Sequence, residues 1–255
     1  MTSPLPVYTR IADQKRLQFI LKNISLRLTA GAKILDIGCG NGVISMHLGS
    51  LGFQVLGIDV SDKTIKTAIQ QNSQPNVSFQ QKSAEALSKE GQSFDAIICS
   101  EVLEHLEDPG ELLKKIYTIL NKDGILIATV PNGKGPREQF VTKPMLYLER
   151  KNNVVTKLVK GIKRLFGYSG KTTQSSADNL DHIQFFSYSQ LKALLSTHRF
   201  TIIQFGKANF IDDVFPFSFF ANRITILQRM DCWIVDFLPR WATGGFFTVS
   251  TKQHD

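Results

Sequence analysis

The sequence of 255 residues is poor in cysteine and has no long apolar run. Its three cysteines, Cys39, Cys99 and Cys232, form no CxxC pair, and an odd number argues against a disulfide framework. No apolar run reaches the roughly 18 residues that a membrane-spanning helix needs. The first residues, MTSPLPVYTRIADQKR, lack the apolar core of a signal peptide. These absences predict a cytoplasmic protein with reduced thiols.

Positive charge is present in excess, with a formal net charge of +8 and a sequence pI of about 9.4. Residues 132–175 contain ten basic and two acidic side chains, an excess equal to the whole formal charge. Within them, residues 153–167 have the period of an amphipathic helix with a basic back. Such a helix either covers a ligand site as a lid or lies on the inner face of an anionic membrane. Few aromatics are interleaved with these charges, so nucleic acid is not an expected partner.

Strand and helix signals alternate along the chain and predict an α/β fold. Seven stretches read as strands: AKILDIG, QVLGIDV, NVSFQQ, FDAIICS, ILIATV, FTIIQFG and GFFTVSTK. Among the helices, GELLKKIYTILNKDG is expected to run to its final glycine, and Ser187 with Gln190 fits a capping box. Strands joined by helices favour right-handed βαβ units and a mostly parallel sheet covered on both faces.

The domain organisation predicted from this pattern is a single domain over residues 1–255 with two insertions. The first is the basic segment at about 132–180. The second, at about 207–244, is aromatic and has no clear period, so we expect irregular structure there. It can shape a substrate pocket, cap the core or form a dimer contact, and the oligomeric state stays open.

The glycine-rich stretch ILDIGCGNG is the strongest local signal for a ligand site. Glycines let the backbone turn tightly and approach a ligand, and the following helix offers free N–H groups. The next strand ends in Asp59, which is placed to accept hydrogen bonds from ribose hydroxyls. Val43 stands where a dinucleotide fingerprint has its third glycine. The spacing therefore favours S-adenosylmethionine over a nicotinamide cofactor.

Together with VLGIDVS, FDAIICSEVLEHLEDP and GILIATVPN, this stretch resembles the class I S-adenosylmethionine-dependent methyltransferases. The resemblance implies a Rossmann-like three-layer sandwich whose seven-stranded sheet is mostly parallel, with an antiparallel last strand. It places the glycines beside the methionine part of the cofactor, Asp36 at the amino group, Asp59 at the ribose and the stretch after the third strand near the adenine. The cofactor-binding candidates are Asp36, Gly38, Gly40, Gly42, Asp59, Ser83, Ala84, Glu85 and Ser100.

The stretch EVLEHLEDP follows the fourth strand, and one helical turn would bring Glu101, Glu104 and His105 onto one face. His182 precedes the helix before strand six. Together these residues resemble the ubiquinone-pathway O-methyltransferases and the small-RNA 2′-O-methyltransferases, which implies Mg²⁺ held by Glu101, Glu104, His105 and His182. Without a metal, His105 or His182 could act as a general base, and Glu104 is a further catalytic candidate. A purely structural role is the third reading.

The function predicted from these features is methyl transfer from S-adenosylmethionine to a hydroxyl of a small, lipid-linked or saccharide acceptor. Two alternatives stay open. One is methylation of a terminal ribose of RNA, and the other is a non-catalytic module that binds the nucleoside cofactor at membranes.

Overall fold

The fold is built on a seven-stranded sheet, seen in a computed structural model that describes residues 5–83, 86, 91–142, 183–212, 214, 217–221 and 223–253. The strands are β1 (Lys33–Ile37), β2 (Gln54–Asp59), β3 (Val77–Gln81), β4 (Phe94–Ser100), β5 (Leu120–Pro131), β6 (Phe200–Lys207) and β7 (Gly245–Lys252). Their order across the sheet is β3-β2-β1-β4-β5-β7-β6. The first five pair in parallel, and β7 runs antiparallel to β5 and β6. This arrangement confirms the predicted fold class and the antiparallel last strand.

Helices cover both faces of the sheet. They are α1 (Ile11–Ser25), α2 (Val43–Ser50), α3 (Asp62–Gln71), α4 (Pro109–Ile119), α5 (Tyr188–Thr197), α6 (Phe217–Ala221) and α7 (Thr225–Ile234). Short 3₁₀ turns occupy Leu103–His105, Val235–Phe237 and Arg240–Ala242, and a π-helical turn occupies Glu138–Thr142. Among the helices of the described residues, none combines the length and the apolar character that crossing a bilayer requires.

The core consists of two apolar clusters, one on each face of the sheet. Alternate residues of β1 divide between them, since Ile34 belongs to one cluster and Leu35 to the other. The helices α1, α2 and α3 contribute to the cluster of Ile34, and α4 and α5 contribute to the cluster of Leu35. The α5 helix begins with the predicted capping box, in which Ser187 and Gln190 bond each other's backbone.

The α4 helix ends earlier than the sequence pattern predicts. It stops at Ile119, and the next five residues, which we expected to be helical up to Gly124, already belong to β5. The reason is the sheet: Leu120 pairs with Phe94 of β4 and is 2% exposed. Burial of Leu120 in the sheet therefore outweighs the helical propensity of the segment.

The predictions for the two insertions have different outcomes. The predicted amphipathic helix at 153–167 lies outside the described residues and stays a prediction. The expectation of irregular structure at 207–244 was wrong, because this segment contains α6, α7 and two 3₁₀ turns. The buried residues of α7 are Gln228, Asp231 and Cys232, so polar side chains interrupt the usual apolar stripe of a packed helix.

Candidate cofactor and methyl-transfer site

The candidate site lies at the carboxyl ends of three neighbouring parallel strands. Asp36 is the last residue but one of β1, Asp59 ends β2, and Ser100 ends β4. The order β2-β1-β4 places all three at one edge of the sheet. Open α/β sheets bind ligands at this edge.

The glycine loop between β1 and α2 has a backbone that favours glycine at three positions. The φ angles of Gly38, Gly40 and Gly42 are 69°, 53° and 78°. The N–H groups of Gly38 and Cys39 both donate to the carbonyl of Ile58, at 2.8 and 3.0 Å. The loop is thus folded back onto the end of β2, with Gly42 as the residue before α2.

Gly42→Ala is expected to destabilise the protein by about 2–4 kcal/mol, from left-handed strain and overpacking. A Cβ at this position would lie 2.4 Å from Cζ of Phe79. Gly31→Ala is the matched control, because Gly31 has a φ of 87° but no atom within 4 Å of the added Cβ. It should cost only about 1 kcal/mol. Urea unfolding of both variants measures the difference, and equal losses would contradict the packing argument.

The carboxylate of Asp59 is held against the glycine loop. Its Oδ2 accepts from the N–H of Gly40 at 3.0 Å, and its Oδ1 accepts from the N–H of Ser61 at 2.8 Å. Each carboxylate oxygen keeps a further lone pair for another donor. This geometry fits a side chain that accepts hydrogen bonds from the two hydroxyls of a ribose.

The carboxyl of Asp36 is buried, with 1% of the residue exposed. The Ser45 hydroxyl donates to its Oδ2 at 2.6 Å. Burial raises the pKa of Asp36 to about 7 despite this bond, and the charge of Asp59 adds to the rise. A buried carboxylate in this position is stabilised by a cation. The ammonium group of S-adenosylmethionine would supply such a cation, so Asp36 and the glycine loop beside it fit this cofactor.

Arg16, on α1, is a site residue that the sequence reasoning missed. It is 7% exposed, and its Nη1 lies 3.6 Å from Oε1 of Glu101 while its Nη2 lies 3.3 Å from Oδ1 of Asp13. Among the described residues its Nε has no hydrogen-bond partner. The buried face of α1 also includes Ala12 and Ile20, so an arginine interrupting the apolar stripe was the available signal.

Glu101 does not lie on a helical turn with Glu104 and His105, so the prediction of one shared helical face was wrong. Its φ is 56°, and its N–H donates to the carbonyl of Thr129 at 3.0 Å. The Thr129 hydroxyl donates to Oε1 of Glu101 at 2.9 Å. Glu101 is therefore tied to the neighbouring strand and paired with Arg16, and only Leu103–His105 form a turn.

Glu104 is fully buried, and within the described residues neither of its carboxyl oxygens has a hydrogen-bond partner. Burial, followed by the nearby charge of Glu101, raises the pKa of Glu104 to about 9, which favours its protonated form. Nε2 of His105 lies 3.8 Å from Oε1 of Glu104, and 18% of the His105 side chain is exposed. His105 is thus the group of this pair that solvent or an acceptor can reach.

The described residues do not assemble a metal site. No three His, Cys, Asp or Glu side chains among them group as ligands, and Glu101 already has Arg16 as its counter-charge. His182 lies outside the described residues, so the predicted ligand set stays a prediction. Ile183 and Gln184 donate their backbone N–H groups to the carbonyl of Glu104, each at 2.9 Å.

The candidates near the adenine are only partly described. Ser83 is half-buried just after β3, and Ala84 and Glu85 lie outside the described residues. The Ser100 hydroxyl lies 2.9 Å from the hydroxyl of Thr129, in the same network as Glu101. Ser100 therefore borders the edge that carries Asp36 and Asp59.

Comparison with known families matches residues 8–204 to the methyltransferase domain. The chain belongs to this family. The match spans more than half of the chain and confirms the superfamily that the glycine loop predicted.

Curated relatives of this methyltransferase-domain chain include two ubiquinone biosynthesis O-methyltransferases. That of Coxiella burnetii (strain Dugway 5J108-111) is 35% identical over 119 residues, which are 46% of this chain and 50% of that protein. That of Caulobacter sp. (strain K31) is 38% identical over 105 residues, 40% of this chain and 42% of that protein. The chain thus spans half or less of the length of these relatives.

Among solved structures, the magnesium protoporphyrin IX methyltransferase from Synechocystis PCC 6803 with bound SAH is similar. The TM-score is 0.56 at 15% identity, over 95% of this chain and 84% of that one. At this identity the likeness concerns the fold, and it agrees with the sheet described above.

Proposed function

We propose that the chain transfers a methyl group from S-adenosylmethionine to an oxygen of a small hydroxylated acceptor. The observation that carries the proposal is the pair of carboxylates at adjacent strand ends. Asp36 lacks a cationic partner for its buried carboxylate among the described residues, and Asp59 is oriented by two backbone N–H groups of the loop region. Membership of the methyltransferase domain family supports the same cofactor.

The chain's residues divide the work of binding. When bound, S-adenosylmethionine supplies a methyl group already activated on its sulfonium, so positioning contributes much of the rate. Asp36 would pair with the ammonium and Asp59 would accept from the ribose hydroxyls. The guanidinium of Arg16, with its buried Nε, is suited to the carboxylate of the methionine part.

On the acceptor side, His105 is the general base that we favour. It follows β4 at the site edge and is partly accessible, whereas Glu104 is buried and its pKa is raised by that burial. His105 would take the proton from the acceptor hydroxyl, and the bound cofactor would supply the methyl group to that oxygen. No step is assigned to a metal, because the described carboxylates do not converge on one.

The acceptor proposed at finer detail is a hydroxyl on a quinone precursor, a lipid-linked molecule or a saccharide. The likeness to two ubiquinone biosynthesis O-methyltransferases supports oxygen as the methylated atom. The apolar side chains exposed on α7, at the same edge of the sheet, favour an amphiphilic acceptor.

The test is calorimetry followed by transfer of label. The protein is expected to bind S-adenosylhomocysteine, and to bind NAD far more weakly because Val43 replaces a fingerprint glycine. Labelled S-adenosylmethionine is then incubated with separate lipid, saccharide and RNA fractions, with and without EDTA. We expect label in lipid or saccharide, regardless of EDTA.

Each other result selects a different reading. Label in RNA alone would favour methylation of a terminal ribose. Cofactor binding without transfer to any fraction would favour a non-catalytic module, and loss of transfer in EDTA would favour the predicted metal set with His182. Absence of cofactor binding would reject the proposal as a whole.

A further inference from the structure

The α7 helix and the turn after it expose a stripe of large apolar side chains. Ile226, Met230, Trp233 and Phe237 are 65%, 52%, 65% and 73% exposed. Their spacing of four, three and four residues puts them on one side of the helix and its extension. The rings of Trp233 and Phe237 also contact each other, with centroids 4.9 Å apart. We call these four residues the α7 apolar face.

The opposite side of α7 is polar and anchors the helix to the domain. Oε1 of Gln228 accepts from the N–H of Ile11 at 3.0 Å, and its Nε2 donates to the carbonyl of Ala221 at 2.8 Å. Asp231 accepts from the N–H groups of Phe210 and Ile211, at 2.7 and 2.9 Å. Rotating the helix to bury its apolar face would break all four hydrogen bonds. The buried groups of the domain that take part in them would then lack a comparable partner. The fold thus presents the α7 apolar face outward.

The rim of the α7 apolar face is cationic. Arg223 and Arg229 are exposed on α7 or just before it, and Arg240 is exposed after the following turn. Asp236, an exposed acid among the described residues of this region, is paired with Lys15 at 2.8 Å. Large aromatic side chains with exposed arginines in the same segment form a surface suited to an apolar partner with negative charge at its boundary.

We propose that the α7 apolar face docks this protein onto an anionic lipid bilayer. Tryptophan and phenylalanine are favoured at the level of the headgroups, and arginines pair with lipid phosphates. A second copy of the chain would instead bring two cationic rims together. None of its four residues belongs to the sequence segment 153–167. The proposal concerns binding alone, so its failure would leave the proposed methyl transfer standing.

The position of this face relates docking to the candidate site. The segment that carries α7 leaves the sheet after Lys207 of β6 and returns at Gly245 of β7. Because β6 is parallel to β5, both points lie at the edge that carries Asp36 and Asp59. The α7 helix also bonds α1, the helix that places Arg16 at the site. Docking would therefore bring the site edge close to acceptors held in a membrane.

The tryptophans of the chain provide a specific reporter. The sequence has two, Trp233 and Trp241, and they are 65% and 66% exposed. Residues 153–167 contain none. Trp241→Phe leaves Trp233 as the sole reporter. Its emission is expected to shift to shorter wavelength with vesicles of phosphatidylcholine and phosphatidylglycerol, and to be quenched by lipids brominated in the acyl chain.

Variants and flotation of the full chain with the same vesicles complete the test. Trp233→Ser with Phe237→Ser is expected to lower partitioning at least about tenfold, and Arg223→Gln with Arg229→Gln should lower it about fivefold per charge. The matched control is Leu26→Ser with Ile69→Ser, whose side chains are 69% and 55% exposed on other surfaces and should not matter. Circular dichroism and urea unfolding verify that each variant folds.

Three results would overturn the proposal. The first is absence of binding to vesicles that contain phosphatidylglycerol. The second is binding without a change in Trp233 emission, which would point to another surface such as residues 153–167. The third is a concentration-dependent dimer that Trp233→Ser with Phe237→Ser abolishes, in a protein that ignores vesicles.

Discussion

Asp36→Asn is expected to weaken binding of S-adenosylhomocysteine by about 100- to 1,000-fold, because it removes the carboxylate that would pair with the buried ammonium. The same change should stabilise the ligand-free protein at neutral and alkaline pH. An asparagine has the same shape, and its amide oxygen can still accept from the Ser45 hydroxyl, but it carries no charge in a position that is 1% exposed. Calorimetry and urea unfolding measure the two effects.

The pH dependence of the stability separates this explanation from a general packing effect. Folding raises the pKa of Asp36 from 3.8 to about 7, so the folded chain binds this proton more tightly than the unfolded chain does. The resulting stabilisation is complete below pH 3.8 and is lost as the pH rises through about 7. The gain in stability of Asp36→Asn over the unchanged protein should therefore grow from pH 3.8 to about pH 7 and stay constant above that.

The control is Asp62→Asn, at an exposed position in the first turn of α3. It should change neither the affinity for the cofactor nor the shape of the pH profile. Glu104, whose pKa is raised to about 9, contributes a slope of the same sign that Asp36→Asn leaves in place. If Asp36→Asn kept full affinity and gained no stability at pH 8, Asp36 would not hold the ammonium group.

The parts of the structure that depend on residues close together in the sequence were predictable. The glycine loop and Asp59 follow short buried strands, and parallel strands bring their carboxyl ends to one edge. The structure places Asp36, Asp59 and the three glycines there, as the sequence pattern predicted. The capping box of α5 was readable for the same reason, since its two residues are three positions apart.

Features that depend on distant contacts were missed. The position of Glu101 is determined by Thr129, 28 residues later, and this contact replaces the helical turn that the spacing alone suggested. Arg16 enters the site from α1, before the first strand, so no local motif marks it. On α7 the polar side chains of Gln228 and Asp231 are buried beside Cys232, while large apolar side chains are exposed. A search for a wholly apolar core face does not find such a helix.

His105→Ala is expected to lower the rate of methyl transfer about 100- to 10,000-fold, the usual contribution of a general base. The affinity for S-adenosylhomocysteine should not change, because Asp36 and Asp59 belong to β1 and β2 while His105 lies in the turn after β4. Single-turnover measurements with labelled cofactor report the chemical step, and calorimetry reports the affinity.

Glu104→Gln is the matched variant that separates a base from a metal ligand. Because burial favours the protonated form of Glu104, the isosteric amide should preserve both the stability and most of the turnover. A metal ligand would behave differently, because an amide is a far poorer ligand than a carboxylate. His105 would therefore be rejected as a metal-free base if Glu104→Gln and His105→Ala lowered the rate of methyl transfer equally and added imidazole restored neither variant. If only His105→Ala lowered the rate of methyl transfer, the imidazole would remain the group that takes the proton from the acceptor.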